Sequence, residues 1–167
     1  MAIQGAANFS REGAKTRRKK VHMEIEEIAR VVVDCGYRLH TELGPGLLES
    51  VYEVVLAKLL TGCGFCLERQ KLVPIIFNGL RFDEGFRADL LVEGKLLVEI
   101  KSVENLAPVH SKQLLTYLRL LNLPLGLLMN FGAAIFKNGI KRVVNNHTDF
   151  AASRLRVHQG LLEDVHT

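Results

Sequence analysis

From Met23 onward the apolar residues fall three or four apart: Ile25, Ile28, Val32, Cys35, Leu39 and Leu43. That spacing lines one face of a long helix, and Gly44-Pro45-Gly46 stops it. A second helix is predicted over 48–61, with Val51, Val55 and Leu59 turned inward and Gly62 as its stop. The period then changes. Residues 67–77 and 80–91 are rich in β-formers on either side of Asn78-Gly79, a strong hairpin signal, and Pro74 suits an edge strand or a bulge. With 96–103 they make a three-stranded antiparallel meander. A third helix over 109–121, entered through Pro108, buries Leu114, Leu115, Leu118 and Leu121. Residues 125–131 read as a short buried strand, 134–144 contain a second turn at Asn138-Gly139, and 147–167 read as a short helix or a disordered tail.

The last hairpin of the meander, 86–101, is greasy on one face and charged on the other. Leu96, Val98 and Ile100 alternate with Leu97, Glu99 and Lys101. Whether Asp89 joins the charged face depends on the turn, because opposed residues of an antiparallel pair point the same way. A two-residue loop at Glu93-Gly94 would set Asp89 opposite Val98, on the apolar side. A three-residue loop, Val92-Glu93-Gly94, sets it opposite Leu97 and diagonal to Glu99, with Gly94 taking the left-handed conformation. We expect the three-residue loop.

Two carboxylates and an ammonium on one sheet face are costly without a partner, and a divalent cation would relieve that cost. Mg²⁺ takes one or two carboxylates and keeps several waters, and a lysine beside it can orient water or stabilise charge on a phosphate. A solvated face with a Glu99/Lys101 pair is the simpler alternative for so short a pattern. Glu49 lies in the first turn of the second helix, where the helix dipole alone favours a carboxylate, and Tyr52 follows three residues on. Gln113 and Tyr117, four apart, share a face with His110 one turn earlier, a set that could hold a phosphate or a base beside a metal.

Composition narrows the compartment and the partners. A hydrophobic content of 48% with 24% charged residues fits a globular protein of one domain, 23–146, with flanking segments 1–22 and 147–167. There is no apolar run of membrane-spanning length and no signal-peptide pattern, so the cytoplasm is expected and no membrane is. The net charge of +4 misleads, because residues 1–20 hold six basic residues and one acidic one, leaving the rest of the chain at −1. Such a basic arm is expected to be disordered, with Met23 as an alternative start. Cys63 and Cys66 form a C-x-x-C that lacks a redox or zinc context, Cys35 being the one other cysteine. The histidines, His22, His40, His110, His147, His158 and His166, have no metal-ligand spacing, and no phosphate-binding glycine loop is present.

The order of these pieces resembles the GxxExxY proteins, which are placed in the PD-(D/E)XK nuclease superfamily. The motif is Gly46-Leu47-Leu48-Glu49-Ser50-Val51-Tyr52, and the resemblance runs on through Glu68-Arg69-Gln70, the 86–104 hairpin, 108–120, 125–132 and 138–145. It covers roughly 23–146. The resemblance implies an α/β (α+β) fold with a restriction-endonuclease-like core, a central mixed sheet flanked by helices. It implies Asp89, Glu99 and the Ile100 carbonyl as ligands of Mg²⁺ or Mn²⁺, Lys101 as the catalytic lysine, and Glu49 as the helix carboxylate holding a water or a second ion. Gln113 and Tyr117 match the Q-x-x-x-Y element of nuclease domains in bacterial recombination enzymes and would steady the substrate strand, with Tyr52, His110 and His40 as neighbours. Ala88 stands where the motif's proline would be.

The function expected is therefore metal-dependent phosphodiester hydrolysis of nucleic acid, DNA rather than RNA. The competing expectation is a silent binding or interaction module of the same fold, acting as a homodimer or within a DNA-processing complex. Hydrolysis of a non-nucleic phosphodiester is a third, since the domain has no obvious basic groove.

Overall fold

A computed structural model of the protein describes residues 23–146; the predicted arm and tail, with His22, His147, His158 and His166, lie outside the described residues. Helix α1, Ile25–Leu43, opens with Glu26 and Glu27 in its first turn, where acidic side chains complement the dipole, and ends at Gly44 with φ 68°. Its expected stripe holds: Ile28, Val32, Cys35 and Leu39 are buried, while Leu43 at the end is exposed.

Helix α2, Glu49–Gly62, turns one position away from expectation. It buries Tyr52, Glu53, Leu56, Ala57 and Leu60, leaving Val51 exposed and Val55 and Leu59 at the margin. The helix is apolar on most sides, so periodicity could not choose the face. Tyr52 decides it, stacking on Phe131 at 4.5 Å and 10°.

Five strands follow the helices: β1 Leu67–Phe77, β2 Leu80–Val92, β3 Leu96–Lys101, β4 Leu125–Asn130 and β5 Ile140–Val144, with α3, Pro108–Leu121, between β3 and β4. Sheet order equals chain order, and all neighbours are antiparallel except β3 and β4. The meander is thus confirmed, and α3 serves as the crossover that makes the next pair parallel. The predicted 134–144 element splits into a short 3₁₀ turn, Phe136–Gly139, and β5.

The sheet is sandwiched. Leu90, Val92, Val98, Ile100, Leu127 and Met129 pack against α1 and α2. On the other face Val73, Ala88, Leu91, Leu97 and Leu128 meet Leu114, Tyr117 and Leu118 of α3, with Leu115 only half-buried. No helix among the described residues is long and apolar enough to cross a membrane.

Candidate active site

The β2–β3 turn determines the site. Val92 pairs with Leu96, so the loop has the expected three residues but consists of Glu93, Gly94 and Lys95, one position later than predicted. Both Glu93 (φ 52°) and Gly94 (φ 66°) are left-handed. Glu93 tolerates this because it is tied to Cys66 twice, its N–H donating to the Cys66 carbonyl (2.9 Å) and its Oε1 accepting the Cys66 N–H (2.6 Å). The consequence is a tighter site than expected. Extending the register from Leu90–Val98 sets Asp89 directly opposite Glu99, while Leu97 faces Leu91 in the core.

Asp89 interrupts the ladder there, its Oδ2 accepting the Ile100 N–H at 2.7 Å. The Ile100 carbonyl points to the same side of its strand as that N–H, so it too faces the Asp89 carboxylate. Glu99 is 2% exposed, and its Oε1 accepts from Lys101 Nζ at 2.8 Å. Its Oε2 is buried and has no hydrogen-bond partner among the described residues. Burial, reinforced by the Asp89 charge and only partly offset by Lys101, pushes the Glu99 carboxyl up to about 7. Asp89 is also raised, chiefly by burial, against the lowering effect of the Ile100 N–H. Burial works against the Lys101 ammonium, but Glu99 outweighs it and the net shift is upward, so the lysine stays charged.

Glu49 approaches from the start of α2. Its Oε1 accepts the Ser102 N–H at 3.0 Å while Ser102 Oγ donates to the Leu47 carbonyl at 2.6 Å, which clamps the end of β3 to the helix. Its charge reaches Asp89, Glu99 and Lys101. Asp89, Glu99, Lys101 and Glu49 are thus brought together.

A family model described as the PD-(D/E)XK nuclease superfamily matches residues 26–143, most of the chain. The chain belongs to this superfamily. A search of curated proteins and one of solved structures each returned no match. The mixed sheet between helices is the restriction-endonuclease-like arrangement of PD-(D/E)XK nucleases, enzymes that generally use divalent cations.

The residues present fit such a cation. Among the described residues no three His, Cys, Asp or Glu side chains converge as a ready cage. A hard cation that keeps most of its waters needs fewer, and the unpartnered Glu99 Oε2 beside a second carboxylate is an electrostatic deficit that a cation would fill.

The other expected site residues divide. Gln113 Nε2 donates to the Tyr117 hydroxyl at 2.5 Å, and Tyr117, 2% exposed, has its phenol raised by burial and, more weakly, by the Glu99 charge. The pair therefore borders the PD-(D/E)XK carboxylates. His110 uses Nδ1 to accept the Ala107 N–H at 3.2 Å and so caps α3. Tyr52 and His40 are buried, 0% and 8% exposed, and spend their polar atoms on backbone groups. The Tyr52 hydroxyl donates to the Gly44 carbonyl (2.6 Å) and accepts the Leu47 N–H (3.2 Å), and His40 Nε2 donates to the Ala133 carbonyl (2.8 Å). Tyr52→Phe keeps the Phe131 stack and strips both polar bonds. It is expected to lower stability by about 1–2 kcal/mol, read as a lower urea midpoint at constant slope.

Sequence reasoning missed Glu53, Gln70, Ser102 and Asn130. Glu53 is buried, accepting from Arg69 Nε (2.8 Å) and Gln70 Nε2 (2.6 Å). Gln70 adopts φ 50° in mid-strand, and the same Nε2 lies 3.4 Å from Asp89 Oδ1. The available signal was the Glu49/Glu53 spacing of four, one helical face. Cys63 Sγ lies 3.9 Å from Cys35 Sγ, and burial followed by that contact pushes the Cys35 thiol up to about 11, a poor nucleophile.

Proposed function

We propose that the protein is a metal-dependent nuclease that hydrolyses phosphodiester bonds of DNA. The observation that carries this reading is the buried Glu99 carboxylate, one oxygen on Lys101 and the other without a partner among the described residues, directly opposite Asp89. A pure scaffold would gain stability from an apolar pair at those positions.

Asp89, Glu99 and the Ile100 carbonyl would hold Mg²⁺ or Mn²⁺, with Glu49 on the outer side. When bound, the cation supplies Lewis acidity and makes a water acidic near neutral pH. Glu99 Oε1 aims the Lys101 ammonium, which orients the attacking water and meets the charge that builds on the phosphoryl oxygens. The ammonium costs little reorganisation, since its partner already fixes it. Gln113, bonded to Tyr117 and half-buried at the margin, steadies the strand being cut.

The test is cleavage of plasmid and of labelled single-stranded DNA and RNA with Mg²⁺, Mn²⁺ or EDTA. Cleavage abolished by EDTA and restored by either metal supports the reading. Inertness on every substrate, together with no heat of Mn²⁺ binding by calorimetry, would replace it with a silent module of the same fold.

A further inference from the structure

Beside the carboxylates, at the shared C-terminal ends of the parallel strands β3 and β4, lies a cleft of about 420 Å³ that the chemistry above does not use. Asn130 lines it, and Asn130 is the register partner of Lys101, so its floor sits one strand spacing from the catalytic lysine. Glu104, Asn105 and Asn138 supply its polar groups, and Pro45, Leu106 and Ile135 its apolar ones.

The walls are built rather than loose. Asn130, 1% exposed, accepts the N–H groups of Val103 (3.0 Å) and Gly132 (3.1 Å) through Oδ1 and donates to the Val103 carbonyl (2.7 Å) through Nδ2. The Phe131 N–H donates to the Lys101 carbonyl at 2.8 Å. Gly132 lies so close that a Cβ would stand 2.5 Å from the Val103 carbonyl oxygen. From behind, His40 holds Ala133 and Tyr52 holds the loop that carries Pro45. These two buried side chains thus brace the cleft.

Its charge indicates what it takes. Among the described residues that line the cleft there is no Lys, Arg or His and Glu104 is the one carboxylate, so a phosphate would be repelled there. A flat neutral group with hydrogen-bond donors fits, with apolar side chains to lie against and a carboxylate and amides for its edge. We propose that the cleft receives one unstacked nucleobase whose exocyclic amine replaces the carbonyl of thymine and guanine, that is cytosine (N4) or adenine (N6), from the strand whose phosphate lies at Lys101. Glu104 accepts from the amine, and Asn105 and Asn138 complete the edge. The inference rests on the nuclease reading for its substrate.

The test is fluorescence anisotropy of labelled hexamers of dC, dA, dT and an abasic analogue, with Mg²⁺ and in the Lys101→Ala background, where cutting is slow enough to leave the strands intact over the titration. The dC and dA hexamers are expected to bind roughly tenfold tighter than dT or the abasic strand. Glu104→Gln combined with Asn105→Ala should bring dC and dA down to the dT value while moving dT less than twofold, and Asn138→Ala should act in the same direction. Equal binding of all four strands would overturn the proposal, as would a uniform loss in variants whose melting temperature is unchanged. Hydrolysis of bis(p-nitrophenyl) phosphate by the wild-type chain, a substrate without a base, is measured alongside. Failure there counts against the nuclease, whereas failure of base preference alone counts against the cleft.

Discussion

Lys101→Ala is expected to lower metal-dependent DNA cleavage about 10²–10³-fold, the usual effect of removing one fixed donor from a developing oxyanion. Steady-state kinetics should place most of the loss in kcat, because in the proposed mechanism the ammonium acts on charge that appears during the reaction. The substitution also strands Glu99, which is 2% exposed and loses its one partner. At pH 8 that buried carboxylate should cost about 3 kcal/mol in urea unfolding, in the range seen when one member of a buried pair is removed. Near pH 5 the loss should nearly vanish, because a carboxyl already raised to about 7 is protonated there and needs no counter-charge. Wild-type activity in this variant would remove Lys101 from the chemistry. An equal stability loss at both pH values would mean that the lysine acts through packing.

Glu99→Gln is expected to do the reverse to stability while still abolishing cleavage. In the folded chain the Glu99 carboxyl is raised from 4.5 to about 7, so the native state binds its proton more tightly than the unfolded state does. Stability from this group is therefore greatest below about 4.5, declines as pH rises toward about 7, and stays low above it. The full decline is about 3 kcal/mol, and Asp89, raised in the same direction, adds to it. An amide of the same shape escapes that cost. In chelated buffer at pH 8 the variant should melt on the order of 5 °C higher than wild type, and its melting temperature should vary less between pH 5 and 8. Added Mg²⁺ should raise the wild-type melting temperature and leave the variant's nearly unchanged. A lower melting temperature for the variant at pH 8 would show that Glu99 stabilises the free protein and would weaken the argument for a cation.

Much of this was legible in the chain before its folding was known, for reasons that differ by element. Asn78-Gly79 and the alternation of 96–101 are local signals, and local signals determined the meander. The turn at 93–95 slipped by one because the usual rule assigns the left-handed conformation to glycine alone, whereas Glu93 adopts it under two bonds from Cys66. Those bonds span 27 residues, and no local pattern encodes them. The buried face of α2 was misread because Val51, Val55 and Leu59 are as apolar as Leu56 and Leu60; the Tyr52 stack, which chose between them, is a tertiary contact. Helical spacing put Gln113 and Tyr117 on one face, and they are hydrogen-bonded to each other there. The bond from His40 to the Ala133 carbonyl joins residues 93 apart, so no local pattern marks it. Gln70 lies within the stretch of resemblance, but nothing in a sequence marks a strand residue that will take a positive φ.

That kink at Gln70 also affects the outer rim of the sheet. Among the described residues strand β1 is an edge of 11 residues, long enough to offer its outward amides and carbonyls to any extended segment that approaches. Gln70 turns the backbone out of the pleat near one end, and Pro74, beside a register shift between Val73 and Ile75, withholds a donor near the middle. What is left between them is only three residues, Lys71, Leu72 and Val73, too short a template for a second chain to lengthen the sheet in register. The residue whose amide reaches Asp89 thereby also protects the rim from aggregation, and straightening it would trade solubility for a smoother strand.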